Sequence, residues 1–314
     1  MEVVQVRSRQ FQCGVDNQIP IYCWEPDSES PIRGLIQLVH GSCEHAGRYE
    51  HFAHFLTEQG YVVYANDLRG HGRSVTALED LGYFGERGGW NAMVAELYEV
   101  TLLAKEEYPN LGLVMLGHSM GSFLARQYAC TFGGGLKGLV LSGTAHHPRG
   151  LLHMGHTLAN LSIMKNGSKH RSKLLFNLSY ASFNRRFHPA RTKLDWLTRD
   201  EEVVDRFLAD KYCGFVFTAS GFRDMFEGLL FITDRAWINQ TPRTLPILLL
   251  SGTNDPVGDY GRMVKRAYHE YRNAGIPKVR MKLYEGMRHE ILNEIGKEDV
   301  YREIADWVNQ CLGE

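Results

Sequence analysis

Apolar residues recur along the chain in two alternating rhythms. The short apolar run Gly34–His40, ending in a glycine turn, reads as a buried strand, and Tyr61–Ala65, Leu111–Leu116, Leu136–Leu141, Leu245–Leu250 and Val279–Tyr284 read as further strands. Between them, Phe52, Phe55 and Leu56, then Val94, Leu97, Tyr98, Thr101 and Leu102, and finally Val300, Ile304, Trp307, Val308 and Cys311 stand at helical spacing. Near the start, Val3–Cys13 and Gln18–Glu25 flank Gly14-Val15-Asp16-Asn17, the composition of a hairpin turn. Strands alternating with helices predict an α/β fold: a mostly parallel sheet of roughly eight strands with helices on both faces. The rhythm fails between about His146 and Gln240, where helical patches such as Leu151, Leu152, Leu158 and Leu161 occur without a clear strand. Because strand-like runs flank that stretch, the expected organisation is a core formed by residues 1–145 and 241–314, with residues 146–240 inserted as a helical lid between two sheet strands.

Composition narrows the class. A chain of 314 residues suffices for one large domain or two smaller ones, at roughly 150 residues per domain. Its 44% hydrophobic and 23% charged residues are those of an ordinary globular protein, and a net charge of −1 provides no long-range field to recruit nucleic acid. The opening MEVVQVRSRQFQ lacks the basic start and apolar stretch of a secretory signal, and no apolar run approaches the roughly 18 residues of a membrane span. A cytoplasmic location is expected. The six cysteines, at positions 13, 23, 43, 130, 213 and 311, contain no C-x-x-C pair and read as free thiols.

Chemistry concentrates in LGLVMLGHSMGSFLARQYA, Leu111 to Ala129. There a buried-strand pattern ends at Gly117-His118-Ser119-Met120-Gly121, and a helical pattern follows. Strand, tight turn and helix form the setting in which a serine is held as a nucleophile, and glycines at both flanks let neighbouring backbones approach. A serine hydroxyl needs a base to take its proton, and in this architecture the order is serine, acid, histidine. Asp255 lies in the loop after Leu245–Leu250, and His289 in the loop after Val279–Tyr284, both beyond strand ends where open α/β sheets place their sites. Asp259 and Glu290 are rivals for the acid. The oxyanion of an acyl transfer needs two backbone donors: Met120, after the serine, and Ser42 in the loop after Ile36–Val39, with Cys43 as the alternative.

The segments HGSCEHAGRY, ANDLRGHGRS, LGHSMGS, SGTNDPVG and GMRHEILNE together resemble the α/β-hydrolase superfamily. More narrowly, they resemble its monoacylglycerol lipase and lysophospholipase group, whose loops read H-G-x-x-E-H-x-x-R-Y, D-x-x-G-H-G-x-S and G-H-S-M-G. The resemblance covers most of residues 1–145 and 241–314 and only loosely the insertion. It implies Ser119 as nucleophile, Asp255 as orienting acid, His289 as base, and Ser42 and Met120 as oxyanion donors. The position after Ser42 is often glycine in such loops and is Cys43 here, which leaves the local backbone open and places a thiol near the site. Inhibition by bulky thiol reagents is the corresponding expectation.

The implied reaction is cleavage of a small acyl ester or single-chain lipid, a monoacylglycerol or lysophospholipid, through an acyl-enzyme. Alternatives are a short-chain or aryl-ester carboxylesterase, a prolyl-type aminopeptidase and a non-catalytic ligand receptor, since fold analogy does not choose a substrate. No cofactor and no metal are expected: His146, His147, His153 and His156 lack the carboxylate or thiolate partners of a closed site. Asp67 and His71 read as holding the DLRGHGRS loop in shape. The basic run KNGSKHRSK, with Arg185, Arg186, Arg191, Lys193 and Arg199, has three readings: a solvated lid face, a peripheral contact with an anionic membrane surface, or recognition of a phosphate in the substrate.

Overall fold

The computed structural model describes residues 20–26 and 31–313. The Val3–Cys13 arm of the expected hairpin lies outside the described residues; its other arm contains β1 (Ile21–Trp24). Then follow β2 (Gly34–Val39), α1 (Glu50–Glu58), β3 (Tyr61–Asn66), α2 (Gly89–Glu107), β4 (Leu113–His118), α3 (Met120–Phe132) and β5 (Leu136–Ser142). Next come α4 (Arg149–Asn166), α5 (Lys173–Tyr180), α6 (Glu201–Ala209), α7 (Ala219–Ile232) and α8 (Arg235–Ile238). The chain returns to the sheet in β6 (Ile247–Gly252) and closes with α9 (Arg262–Asn273), β7 (Val279–Tyr284) and α10 (Lys297–Leu312).

Among the described residues the sheet has seven strands in the order β1-β3-β2-β4-β5-β6-β7. Only β1 runs antiparallel, pairing Ile21 with Asn66 of β3; every other neighbour is parallel. The apolar runs of β2, β3, β4 and β6 are buried throughout because both faces are covered. On one face Leu35 and Val39 of β2 meet Leu97 and Val100 of α2, Leu124 of α3 and Val264 of α9. On the other, Ile36 and Leu38 meet Phe52 and Leu56 of α1 with Ile304 and Trp307 of α10. The two-residue alternation of a strand thus feeds two cores from one apolar run.

Helices α4 to α8 fall between β5 and β6, adjacent strands of the sheet. They are fastened to the core by polar as well as apolar contacts. The buried Arg126 guanidinium of α3 donates to Ala145 O at 2.7 Å and to Ile232 O, the last residue of α7, at 3.0 Å. Gly228 of α7 lies on the Trp90 ring of α2, and Gly155 of α4 on the Phe226 ring of α7, so closely that a Cβ at either position would meet ring atoms. No helix among the described residues is long and apolar enough to cross a membrane.

The seat of α7 predicts the sign of a substitution. Helix propensity alone would make Gly228→Ala stabilising by about 1 kcal/mol. Because Trp90 is only 2% exposed and cannot swing away, overpacking should instead cost about 1–3 kcal/mol. Urea unfolding reads this as a lower midpoint at unchanged slope; a midpoint that rises would show that Trp90 does not fill this groove.

Candidate active site

Ser119 follows the last residue of β4 and immediately precedes α3, with φ 51° and ψ −119°. A non-glycine residue is held in that region only where its surroundings over-determine it. The Ser119 N–H donates to Ser142 O of β5 at 2.8 Å, and its carbonyl accepts from Ser122 N–H at 2.9 Å and Ser122 Oγ at 2.6 Å. A Cβ at Gly117 would collide with the Gly121 backbone, and one at Gly121 with the carbonyls of Val39 and His40. The two glycines are required by this close approach of β2, the turn and α3.

Asp255 and His289 meet beyond the ends of β6 and β7. The His289 Nδ1–H donates to Asp255 Oδ1 at 2.9 Å, and the second carboxylate oxygen accepts from Ser251 Oγ at 2.9 Å. Val257 N–H adds a further bond to Oδ1 at 2.9 Å. Burial alone would raise the Asp255 pKa, but the His289 charge and these hydrogen bonds hold it below the ordinary carboxylate value. Burial likewise disfavours protonated His289, yet Asp255, with Glu290 and Glu44 behind it, holds the imidazole above its ordinary value. Of the rival acids, Asp259 pairs with Arg262 at 2.5 Å and Glu290 with Arg48 at 2.6 Å. Ser119 and His289 line the same cavity, with no hydrogen bond between their side chains among the described residues. Such a contact is often long in an unliganded site and tightens around substrate. The His289 ring is boxed by His118, 4.7 Å between centroids, and Trp196, at 5.2 Å.

The candidate donors come from the start of α3 and from the loop after β2. Met120 opens α3, so its N–H has no partner within the helix, and the Ser42 N–H meets no backbone acceptor among the described residues. Both residues line a cavity wall with Ser119. Cys43 takes φ 57°, the left-handed conformation that glycine would adopt at no cost, so the loop keeps its path without the glycine. Cys43 is partly buried and lines the larger cavity beside Ser119; burial pushes its thiol well up, which lowers its nucleophilicity.

Sequence reasoning did not foresee what fastens this loop. Glu44 accepts the Gly41 N–H at 2.5 Å and the Tyr49 hydroxyl at 2.7 Å. Its other oxygen takes the Arg48 guanidinium, which also forks onto Glu290 at 2.9 and 2.6 Å. Arg48 therefore joins the donor loop to the residue beside His289. The E-H-x-x-R-Y pattern contained the signal, since a carboxylate, a guanidinium and a phenol within six positions suit a buried polar cluster. The DLRGHGRS loop is pinned in turn: Asp67 accepts Ala46 N–H at 2.9 Å and Arg73 N–H at 2.8 Å. His40 Nε2 accepts Leu68 N–H at 2.9 Å, which leaves its Nδ1–H for Gly41 O.

Two cavities meet at Ser119. One, of about 320 Å³, is lined by apolar side chains of α4, α5 and α7, among them Leu152, Leu178, Met225 and Leu229. The other, of about 850 Å³, is mixed, and its wall includes His289, Asn177, Asn184 and Thr192. Ser42, Ser119, Tyr180 and Trp196 line both. The four histidines at the start of the insertion do not converge: His147 lines the apolar cavity, His156 bonds Glu227 at 3.1 Å, His146 is buried and His153 is exposed. Among the described residues the one close group of metal-ligand side chains is His45, Asp210 and Cys213, with ligand atoms within 4.8 Å. Its His45–Asp210 hydrogen bond of 2.9 Å and the bond from Gly214 N–H to Cys43 O, also 2.9 Å, tie the segment after α6 to the donor loop.

The chain and its fold are similar to known proteins. The chain is 29% identical over 314 residues to the monoacylglycerol lipase of Mycolicibacterium smegmatis, covering 98% of each chain. It is 27% identical over 298 residues to the human (Homo sapiens) monoglyceride lipase, covering 92% of this chain and 87% of that one. A carboxyl esterase from Bacillus coagulans, solved in complex with glycerol, superposes with a TM-score of 0.90 at 28% identity over 99% of this chain and 100% of the other. The Hydrolase_4 family, described as "Serine aminopeptidase, S33", matches residues 30–296, and the chain belongs to that family of α/β-hydrolases.

Proposed function

We propose that the protein cleaves the carboxylic ester of single-chain lipids, monoacylglycerols or lysophospholipids, through an acyl-enzyme on Ser119. Ester hydrolysis is supported by the carboxyl esterase and the monoacylglycerol lipases it is similar to. The observation that carries the substrate reading is the position of Ser119 on the wall shared by an apolar cavity and a larger one of mixed lining. An acyl chain suits the first and the leaving alcohol the second. Each buried methylene contributes about 0.8 kcal/mol, so chain length alone supplies much of the binding.

In this reading His289 Nε2 takes the Ser119 proton as the oxygen attacks the ester carbonyl. The Met120 and Ser42 N–H groups receive the developing oxyanion. Protonated His289 then gives its proton to the leaving alcohol, and a water activated by the same nitrogen releases the fatty acid. Asp255 keeps Nδ1 protonated, so that Nε2 is the free base. Residues 146–240 act as the lid over this site. Large apolar side chains on it face outward, Leu151 at 53%, Met154 at 47%, Met164 at 83% and Leu178 at 51% exposed. Three of these, Leu151, Met154 and Leu178, also line the apolar cavity. A peripheral contact of this face with a lipid surface would deliver the acyl chain directly into the cavity.

An aminopeptidase, as the family's description names, needs a free carboxylate for the substrate ammonium. The carboxylates on the two cavity walls are Glu44, Glu290 and Asp259, and each is already held by an arginine. That observation favours the ester.

Fluorophosphonate labelling followed by peptide mapping should place the label on Ser119, and Ser119→Ala should abolish turnover with the unfolding midpoint preserved. Substantial residual turnover of a long-chain monoacylglycerol would sink the assignment. Because only neutral His289 is a base and its pKa is raised, the acid limb of kcat/KM should fall above the ordinary histidine value of about 6.5. Asp255→Asn removes the charge that raises it, so the limb should move to lower pH while kcat drops by about 10⁴. A limb that does not move would separate Asp255 from His289 in function.

A further inference from the structure

The basic run of the lid divides into residues the fold uses and residues it leaves over. Arg171 donates to the carbonyls of Val216, Glu79 and Leu81, and Lys169 pairs with Asp80 at 2.7 Å. Arg199 holds Glu294 at 3.0 Å, and Arg186 lies 3.6 Å from the centroid of the Tyr260 ring. These cations fasten the lid to the core or to itself. Arg185, Arg191 and Lys193 instead line the larger cavity, the one that contains His289 and Ser119. Arg191 is paired with Asp205 at 2.8 Å and Glu201 at 3.7 Å. Arg185 and Lys193 face no carboxylate within ion-pair distance among the described residues.

The other charges on that wall do not cancel them. Its two carboxylates, Glu44 and Glu290, are buried at the floor and share the Arg48 guanidinium. The cavity is therefore graded, with carboxylates committed at the floor and free cations along the lid side. Its size argues the same way. At about 850 Å³ it lies within the range of sites that hold drug-sized ligands, far more than the few heavy atoms of glycerol need. Asn177, whose side chain makes no hydrogen bond among the described residues, adds a neutral group able to bond a polar head group, while Asn184 and Thr192 are held by the lid itself.

We infer that this cavity receives a leaving group that carries a phosphate, so that the preferred esters are those of acylated glycerol phosphates over neutral monoacylglycerols, with Arg185 and Lys193 as the phosphate-recognising side chains. The inference rests on the ester-hydrolase reading above and specifies its leaving group. Cleavage keeps the same balance: the acyl C–O bond breaks, the glycerol phosphate oxygen leaves with the proton from His289, and water supplies the hydroxyl of the fatty acid. The phosphate remains intact and acts only in recognition.

The test compares a 1-acylglycerol with the 1-acylglycerol 3-phosphate of the same short acyl chain, both below their micellar concentrations so that no lipid surface contributes. The phosphate ester should have kcat/KM about tenfold higher at low salt. That ratio should shrink between about 10 and 150 mM NaCl as the screening length falls from about 30 to about 8 Å. Arg185→Ala with Lys193→Ala should bring the ratio down to about one. Lys165→Ala with Lys173→Ala, which removes two lid cations that do not line the cavity, should leave the ratio as it was. Equal rates for the two esters, a neutral preference, or a ratio that falls equally in both double variants overturns the inference, while hydrolysis of the neutral ester leaves the ester-hydrolase reading standing. Hydrolysis of neither ester overturns both. Glycerol 3-phosphate should inhibit the neutral reaction more strongly than inorganic phosphate does; the reverse order marks a free-anion site and also overturns the inference.

Discussion

The Arg48 guanidinium lies between two carboxylates that the fold brings from distant parts of the sheet. Glu44 belongs to the loop after β2 and Glu290 to the loop after β7, with β4, β5 and β6 between those strands. The bridge therefore passes across the end of the sheet at which Ser119 sits. Its partners are 3% and 4% exposed, so neither charge has water as an alternative. A bidentate fork satisfies both oxygens of Glu290 and leaves one donor for Glu44, an arrangement a lysine cannot supply. Removing the cation would leave two buried carboxylates facing each other, a change that costs several kcal/mol in buried pairs. The Phe207 ring of α6, 4.6 Å from the guanidinium carbon, covers the bridge from the lid side. One charged group thus relates the donor loop, the histidine loop and the lid.

Strain at the serine depends on that rigidity. Ser119 and Cys43 both have positive φ, and both belong to the segments that present the candidate nucleophile and donors. Each such residue costs of order 1–3 kcal/mol and persists where neighbours allow no alternative. For Ser119 those neighbours are the Ser142 carbonyl and the backbones packed against Gly117 and Gly121. For Cys43 they are the Gly214 N–H on its carbonyl and the Glu44 bond to Gly41. A stiff frame lets backbone donors point at a position instead of relaxing into helix or solvent, which is what electrostatic stabilisation of a transient oxyanion requires.

Much of this was legible in the residues because the chemistry restricts both type and place. Buried parallel strands need apolar-rich runs, so those from Gly34 to Leu250 stood out and the edge strand Val279–Tyr284 with them, all with ends within two residues of those observed. A strained turn needs glycines, which marked Ser119, and sites at strand ends picked out Asp255 and His289. What escaped notice has no period and no spacing rule. Arg48 meets Glu290 across 242 residues of sequence, and Glu290 entered the sequence reading only as a rival acid. The left-handed Cys43 could not be foreseen, since side-chain identity there argues against the conformation it adopts. The expected count of eight strands included Val3–Cys13, outside the described residues, and seven are found among those described.

The insertion between β5 and β6 was least legible because its apolar residues are divided between core and surface. Along α4, Leu152, Gly155 and Ala159 are buried, with Gly155 against the Phe226 ring of α7, while Leu151, Met154, Leu161 and Met164 are exposed. An amphipathic helix reveals its orientation by contrast between faces, and here the contrast is weak. The same ambiguity follows from the work such a segment must perform. A helix that was apolar only inward would close the cavity against the core, and one apolar only outward would offer no lining to an acyl chain. Leu151 and Met154 of α4 are exposed and also line the apolar cavity that reaches Ser119. The cations that line the larger cavity come from the segment after α5, Arg185 to Lys193. In the reading proposed above, chain and head group are received by successive segments of one insertion, and specificity can change there without disturbing the loops that hold Ser119, Asp255 and His289.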